Sequence, residues 1–270
     1  MTPSSQVMRA FFLVVLMLVA LPAPSQTFGP YVVQRSFRLP QYALGDLEYH
    51  DGWLYSTDYS SANIHRLNPQ TGAQSAQWYP TGCRDTLVTG LAWGGANMWM
   101  TTRSSNALHQ LDLPVGGAGW DLLRYALGQG SWATDLAYAN GIFYVPEYLG
   151  PIHKIDANTG LELGTIPSPN DFVYGLTFDG QNLLASAGAD SDRIWSVSPE
   201  DGSIRGEWHT GMSSMVGLAY DISSRTLYIG DYDRVTVAQM VPEPSPLTLL
   251  FLMAGGSVML SRCFASLRKE

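Results

Sequence analysis

Three acidic residues, each followed by a tyrosine, share one position of an internal repeat. Two of them lie 11 residues after a recurring leucine, and the third lies 13 residues after it because its turn is longer. Carboxylates beside aromatic rings can hold a divalent cation or a sugar-like ligand. An acid at the end of a strand can instead cap the following turn, so both roles stay open. The pairs are Asp58 and Tyr59, Glu147 and Tyr148, and Asp231 and Tyr232.

The recurring leucine marks a repeat that organises the middle of the chain. Copies of this repeat follow one another at intervals of about 40 to 45 residues. Repeats of this length, built from short strands and Gly-containing turns, are typical of β-propeller blades with one four-stranded antiparallel sheet each. The leucines are Leu47, Leu91, Leu136, Leu176 and Leu218, and the repeats fall near 44–82, 88–130, 133–169, 173–211 and 215–240.

The fifth repeat is one strand short, because no fourth strand follows residues 235–238 before Pro242. A spare segment at 31–37 resembles the fourth strands of the other repeats. We expect this segment to complete the last blade and close the ring, which leaves no exposed sheet edge. The sequence therefore predicts an all-β fold, a five-bladed propeller over residues 27–240.

Two acids are expected beside the central channel of such a propeller. Asp46 and Asp135 directly precede the recurring leucine, where the other repeats have glycine. Carboxylates at this position can bind a divalent cation or accept hydrogen bonds from unpaired backbone at the channel wall. The sequence predicts no other cofactor and leaves the identity of any metal unknown.

Both ends of the chain are apolar. Residues 10–21 form an uninterrupted apolar run, too short to span a bilayer but suited to the core of a signal peptide over residues 1–26. At the other end, Pro242, Glu243 and Pro244 precede an apolar run at 247–260 and a basic tip.

The order of motif, apolar run and basic tip resembles the PEP-CTERM sorting signal of bacterial surface proteins. In that family a membrane protease, an exosortase, processes the tail during export. The resemblance implies that signal peptidase and exosortase are partners. It also implies that residues 241–270 anchor the chain in the membrane before processing, and that the protein ends at the outer surface or outside the cell. The alternative is a single-span anchor that no exosortase cleaves.

The blades also resemble known propellers. The segment Leu54-Tyr55-Ser56-Thr57-Asp58, followed by residues 63–67 and a closing Thr71-Gly72, is similar to blades of NHL, YncE-type and quinoprotein-like propellers. Many unrelated activities share these blades, so the resemblance implies a fold and no reaction.

Composition and motifs exclude several classes of function. A net charge of −8 argues against nucleic acid as a partner. The chain has no nucleophile elbow, metalloprotease helix motif or phosphate loop. The sequence favours a non-catalytic binding module for polysaccharide or a surface protein, since the exosortase resemblance implies a link to exopolysaccharide. The alternatives are a propeller enzyme, such as a lactone hydrolase or quinoprotein-like protein, and a purely structural surface protein.

Overall fold

In the computed structural model the chain forms a β-propeller. The structure describes residues 27–39, 44–61, 63–80, 87–103, 107–113, 120–126, 132–188 and 191–241. These ranges contain no helix that is long and apolar enough to cross a membrane. The predicted signal peptide, the motif at Pro242, Glu243 and Pro244 and the apolar run at 247–260 lie outside the described residues.

The strands form five antiparallel sheets. Two strands, β1 (Thr27–Phe28) and β2 (Tyr31–Arg38), precede the first blade. Blade 1 contains β3 (Leu44–His50), β4 (Trp53–Asp58), β5 (Ile64–Leu67) and β6 (Gln74–Trp78). Blade 2 contains β7 (Val88–Gly94), β8 (Asn97–Thr102), β9 (Ala107–Asp112) and β10 (Trp120–Ala126). Blade 3 contains β11 (Ala137–Ala139), β12 (Ile142–Pro146), β13 (Ile152–Asp156) and β14 (Glu162–Ile166).

Blade 4 contains β15 (Val173–Phe178), β16 (Leu183–Ala187), β17 (Arg193–Val197) and β18 (Ile204–His209). Blade 5 is built from β19 (Gly217–Asp221), β20 (Thr226–Asp231) and β21 (Arg234–Met240), and β2 joins it from the other end of the chain. The five-bladed all-β architecture predicted from the repeats is therefore confirmed.

The ring closes as the sequence predicts. Strand β2 pairs antiparallel with β21, from Tyr31 opposite Met240 to Arg38 opposite Arg234. The first strands of the blades contact one another in the order β3, β7, β11, β15 and β19, and β19 contacts β3. One detail differs from the prediction of four strands per blade, since the short β1 pairs with β2 and gives blade 5 a fifth strand.

The hydrophobic core lies between the blades. It consists of five clusters, and each cluster joins side chains from two neighbouring blades. Every cluster contains one of the recurring leucines, none of which is more than 2% exposed. The repeat therefore exists because each blade needs the same large apolar side chain to pack against its neighbour.

Tight turns set the register within blades. Asp51 and Gly52 link β3 to β4, and Asn140 and Gly141 link β11 to β12. All four residues have positive φ angles, between 46° and 83°. This is the backbone of a type I′ hairpin, which Asp-Gly and Asn-Gly pairs favour.

Candidate ligand pocket and channel acids

The two predicted channel acids lie fully buried between the first strands. A carboxylate oxygen of Asp46 accepts a hydrogen bond from the backbone N–H of Leu91 in blade 2, at 2.6 Å. Asp135 makes the equivalent bond to the N–H of Leu176 in blade 4. Inner strands have an unpaired edge facing the channel, and these carboxyl groups satisfy part of it.

Glycine occupies the same position in the other blades because the strands approach closely. A Cβ atom on Gly217 would lie 2.7 Å from the backbone nitrogen of Leu47. A Cβ atom on Gly90 would overlap the backbone of Asp135. The narrow channel of a five-bladed ring thus explains why only aspartate or glycine directly precedes the recurring leucine.

The two aspartates also interact with each other. Burial raises the pKa of both, and the charge of Asp135 raises the pKa of Asp46 further. The charge of Asp135 thus favours the protonated form of Asp46, whose second carboxyl oxygen is buried without a hydrogen-bond partner. No group of three or more His, Cys, Asp or Glu side chains suited to a metal ion occurs in the described part of the chain. A cation in the channel stays a prediction.

Glu48 is a third acid at the channel, and the sequence did not predict it as a site residue. Its half-buried carboxylate accepts a hydrogen bond from the N–H of Trp93 at 2.8 Å. Burial raises the pKa of Glu48 to about 7. Together with His50 and Tyr138, it lines an open pocket of about 200 Å³ at one mouth of the channel.

The acids that end the second strands form local bonds. Asp58 accepts hydrogen bonds from the N–H and hydroxyl of Ser60, at 2.9 and 2.7 Å, and from the hydroxyl of Ser61 at 2.7 Å. Asp231 accepts one from the N–H of Tyr232 at 2.8 Å. These contacts correspond to the turn-capping alternative.

Glu147 has a different local partner. One of its oxygens lies 3.1 Å from Nε2 of His153, whose Nδ1 lies 3.0 Å from Glu162. The histidine thus links the end of β12 to β14. The structure does not bring the three predicted acids together as one ligand set.

The tyrosines that follow these acids do meet at the opposite mouth of the channel. Tyr59 and Tyr148 line a small pocket of about 50 Å³ that opens to solvent, together with Trp132 and Tyr174. Tyr232 is close enough to affect the pKa of Tyr174, which burial raises above its usual value. The side chains of Tyr59 and Trp132 are each 43% exposed. We call this pocket the aromatic cup, defined by Tyr59, Arg103, Trp132, Tyr148 and Tyr174.

Arg103 contributes the positive charge of the cup. Its guanidinium carbon lies 4.0 Å from the ring centroid of Trp132, a cation–π contact. Arg103 lies 12 residues after the recurring leucine of its repeat, as Tyr59 and Tyr148 do in theirs. An alignment of the repeats would therefore have revealed it.

Blade 4 contributes Tyr174 to the cup from its first strand, and not a residue that follows its second strand. Gly188 follows β16 at the position where other blades place a long side chain. A Cβ atom on Gly188 would overlap the ring of Tyr174, which comes from β15 of the same blade. Trp132 precedes the first strand of blade 3. Neither Trp132 nor Tyr174 therefore shares the repeat position of Tyr59 and Tyr148.

Comparisons with known proteins identify the fold and no family. No protein-family model and no curated protein sequence matches the chain. A glutaminyl cyclase from Myxococcus xanthus is similar in structure, with a TM-score of 0.65 and 14% identity over 78% of this chain and 97% of that one. The WD40 β-propeller domain of Doa1 gives a TM-score of 0.50 and 13% identity over 72% and 63% of the two chains. At these identities the chain is similar to both proteins as a β-propeller.

Proposed function

We propose that the protein is an exported surface protein whose propeller binds carbohydrate in the aromatic cup. The observation that carries the proposal is the cup itself, an open concave site with several aromatic rings at its rim. Aromatic rings offer flat apolar surfaces and, in tyrosine and tryptophan, a polar group at the edge. This combination suits a sugar, which has apolar C–H faces and hydroxyl groups around them.

The exposure of these rings favours binding over a purely structural role. Aromatic side chains that hold blades together are buried, as Trp78 and Trp99 are, at 3% and 4% exposure. Tyr59 and Trp132 instead leave 43% of their surface in contact with solvent. Apolar surface gathered at a concave site is the usual mark of a ligand site.

Substitutions in the cup test the carbohydrate proposal. The probe is exopolysaccharide purified from the producing organism, and binding to the full-length protein is measured by calorimetry. We expect Tyr148→Ala or Trp132→Ala to weaken binding by at least about tenfold, because each removes a stacking surface. Tyr79→Ala is the matched control, since Tyr79 is also exposed (55%) but lies outside the cup. Equal binding by all variants would contradict the proposal.

Export and sorting by the two ends form the other part of the proposal. The apolar run at 10–21, the motif Pro242-Glu243-Pro244 and the run at 247–260 support it. Intact mass and C-terminal peptide mapping of the protein from its native host provide the test. A mature chain that ends between residues 241 and 245 is expected, whereas a chain that still ends at Glu270 would exclude cleavage by an exosortase.

A propeller enzyme is the second candidate function, and Glu48 favours it. A carboxyl group whose pKa is about 7 can both take up and release a proton at neutral pH. Lactone hydrolysis and glutaminyl cyclisation, the activity in the name of the Myxococcus xanthus protein, are the reactions to assay. Glu48→Gln should abolish any such activity and Glu162→Gln should not. Activity that survives in Glu48→Gln would remove this candidate.

A further inference from the structure

We propose that the sugar bound in the aromatic cup carries a carboxylate, as a uronic acid does, and that Arg103 binds this carboxylate. This inference rests on the proposed function. Among the described residues that line the cup, Arg103 alone carries a charge at neutral pH. The chain as a whole has a net charge of −8, so a positive charge at this position is a local exception.

The described acids that end the second strands of blades 1 and 3 bond to partners other than Arg103. Asp58 directs both of its oxygens to Ser60 and Ser61, and Glu147 lies beside His153. Arg103 takes part in none of the ion pairs found among the described residues. Its charge is therefore available to a ligand.

The stacking on Trp132 orients the guanidinium group. The centroid of the indole ring lies 4.0 Å from the guanidinium carbon, close enough to restrict the movement of the guanidinium group, whose N–H donors all lie in its own plane. A planar donor edge matches a carboxylate with two parallel hydrogen bonds. Stacking also reduces the side-chain entropy that binding would otherwise cost.

The remaining lining residues suit the rest of an acidic sugar. Tyr59 and Tyr148 provide ring surfaces, and the hydroxyl group of Tyr174 can donate to or accept from a sugar hydroxyl. The described residues that line the cup include no carboxylate that would repel an anion. The pocket at the other mouth contains Glu48 instead, so an anionic ligand should distinguish the two mouths.

The test compares an oligogalacturonate with its methyl ester, which has the same size and ring surface but no charge. Both are titrated into the full-length protein in detergent. We expect the acid form to bind at least about tenfold more tightly, because hydrogen bonds to a charged group are stronger than neutral ones. Raising the salt concentration should reduce this difference.

Variants assign the preference to Arg103. Arg103→Gln should bind both forms with the affinity of the wild-type protein for the ester, and Arg103→Lys should keep part of the preference. Arg66→Gln is the matched control, because Arg66 also stacks on a tryptophan, Trp53, at 4.5 Å, but outside the cup. Thermal melting of each variant checks that it is folded.

The outcomes separate this inference from the proposed function. Equal binding of acid and ester, with both lost in Tyr148→Ala, would overturn the acidic-sugar inference and leave carbohydrate binding intact. Binding of neutral glycans alone would have the same meaning. If no acidic or neutral glycan binds the wild-type protein, both proposals are wrong.

Discussion

Single residues at the channel waist link the stability of the propeller to pH. Burial raises the pKa of Asp46 and Asp135 above their values in the unfolded chain. A raised carboxyl pKa means that the folded state binds protons more strongly than the unfolded state. The contribution of this pair to stability is therefore largest below the unfolded pKa of about 4 and declines as the pH rises through the folded pKa values.

Replacing Asp46 by asparagine should remove most of this pH dependence. The asparagine oxygen can still accept from the N–H of Leu91, as Asp46 does, and its amide group does not titrate. We expect Asp46→Asn to be at least as stable as the wild-type protein at pH 8 and to lose less stability between pH 5 and pH 8. Urea unfolding at both pH values measures this.

Asp46→Ala provides the contrast, because it leaves the buried N–H of Leu91 without its acceptor. This should cost about 1–3 kcal/mol at either pH. An Asp46→Asn protein with the same pH slope as the wild type would show that protonation of Asp46 is not the source of this pH dependence.

Protonation of His153 should also favour the folded state, but over a higher pH range. Burial lowers the pKa of His153, but its bonds to Glu147 and Glu162 outweigh burial and raise it overall. The stabilisation is present below the unfolded histidine pKa of about 6.5 and is lost as the pH rises through the folded pKa. His153→Gln should therefore reduce stability more at pH 5.5 than at pH 9, by on the order of 1 kcal/mol or less.

Thermal melts at these two pH values provide the measurement. His209→Gln is the control, since His209 contacts Asp192 at 2.9 Å on the surface, with 61% of its side chain exposed. A similar loss at both pH values for His153→Gln would indicate that packing and not protonation stabilises this link between strands.

At the scale of elements, β2 is the strand on which the ring depends. It comes from the start of the described chain yet forms the fourth strand of the last blade. Tyr31, the first residue of β2, is fully buried in the cluster between blades 4 and 5. The centroid of its ring lies 5.9 Å from that of Trp208 in an edge-to-face arrangement. The closure therefore relies on a large aromatic side chain as well as on backbone pairing.

Shortening this side chain should weaken the whole fold. We expect Tyr31→Ala to lower the free energy of unfolding by about 3–5 kcal/mol, the usual cost of removing a buried aromatic ring. Chemical denaturation followed by tryptophan fluorescence measures it, with the exposed Tyr79→Ala as the control. A loss below about 1 kcal/mol would mean that β2 contributes little to closure.

Elements with a repeated physical task were predictable from the sequence. Each blade needs its buried leucine and a tight turn such as Asn140-Gly141, and both recur at regular intervals. The two-residue strand β1 has no such signal. The cup was predicted in part, because Tyr59 and Tyr148 share a repeat position, whereas Trp132 reaches the cup from a different position that periodicity does not connect with theirs.

Chemical roles were harder to predict than positions. An acid at the end of a strand has the same sequence signature whether it binds a ligand or caps a turn. Only the distances from Asp58 to Ser60 and Ser61 show where its oxygens point. The raised pKa of Glu48 depends on burial by neighbouring blades, and no local sequence motif encodes that.

At the scale of the whole molecule, the channel has two mouths of opposite character. One carries Arg103 and aromatic rings, with no carboxylate among its described lining residues, and the other carries Glu48. The buried pair of Asp46 and Asp135 lies at the waist between them. A ligand at one mouth therefore does not meet the chemistry of the other.

The direction of β21, which closes the ring with β2, also determines at which face of the propeller the chain leaves the folded body. Strand β21 begins at Arg234, beside the end of β20 where Tyr232 approaches the cup, and it runs away from the cup to Met240. The N–H of Val241 then donates to the carbonyl of Pro30 at 2.8 Å, so the folded body has its entry and exit at one point. A tail that tethers the chain after Val241 would thus hold the propeller by its far face, with the cup turned outward to its surroundings.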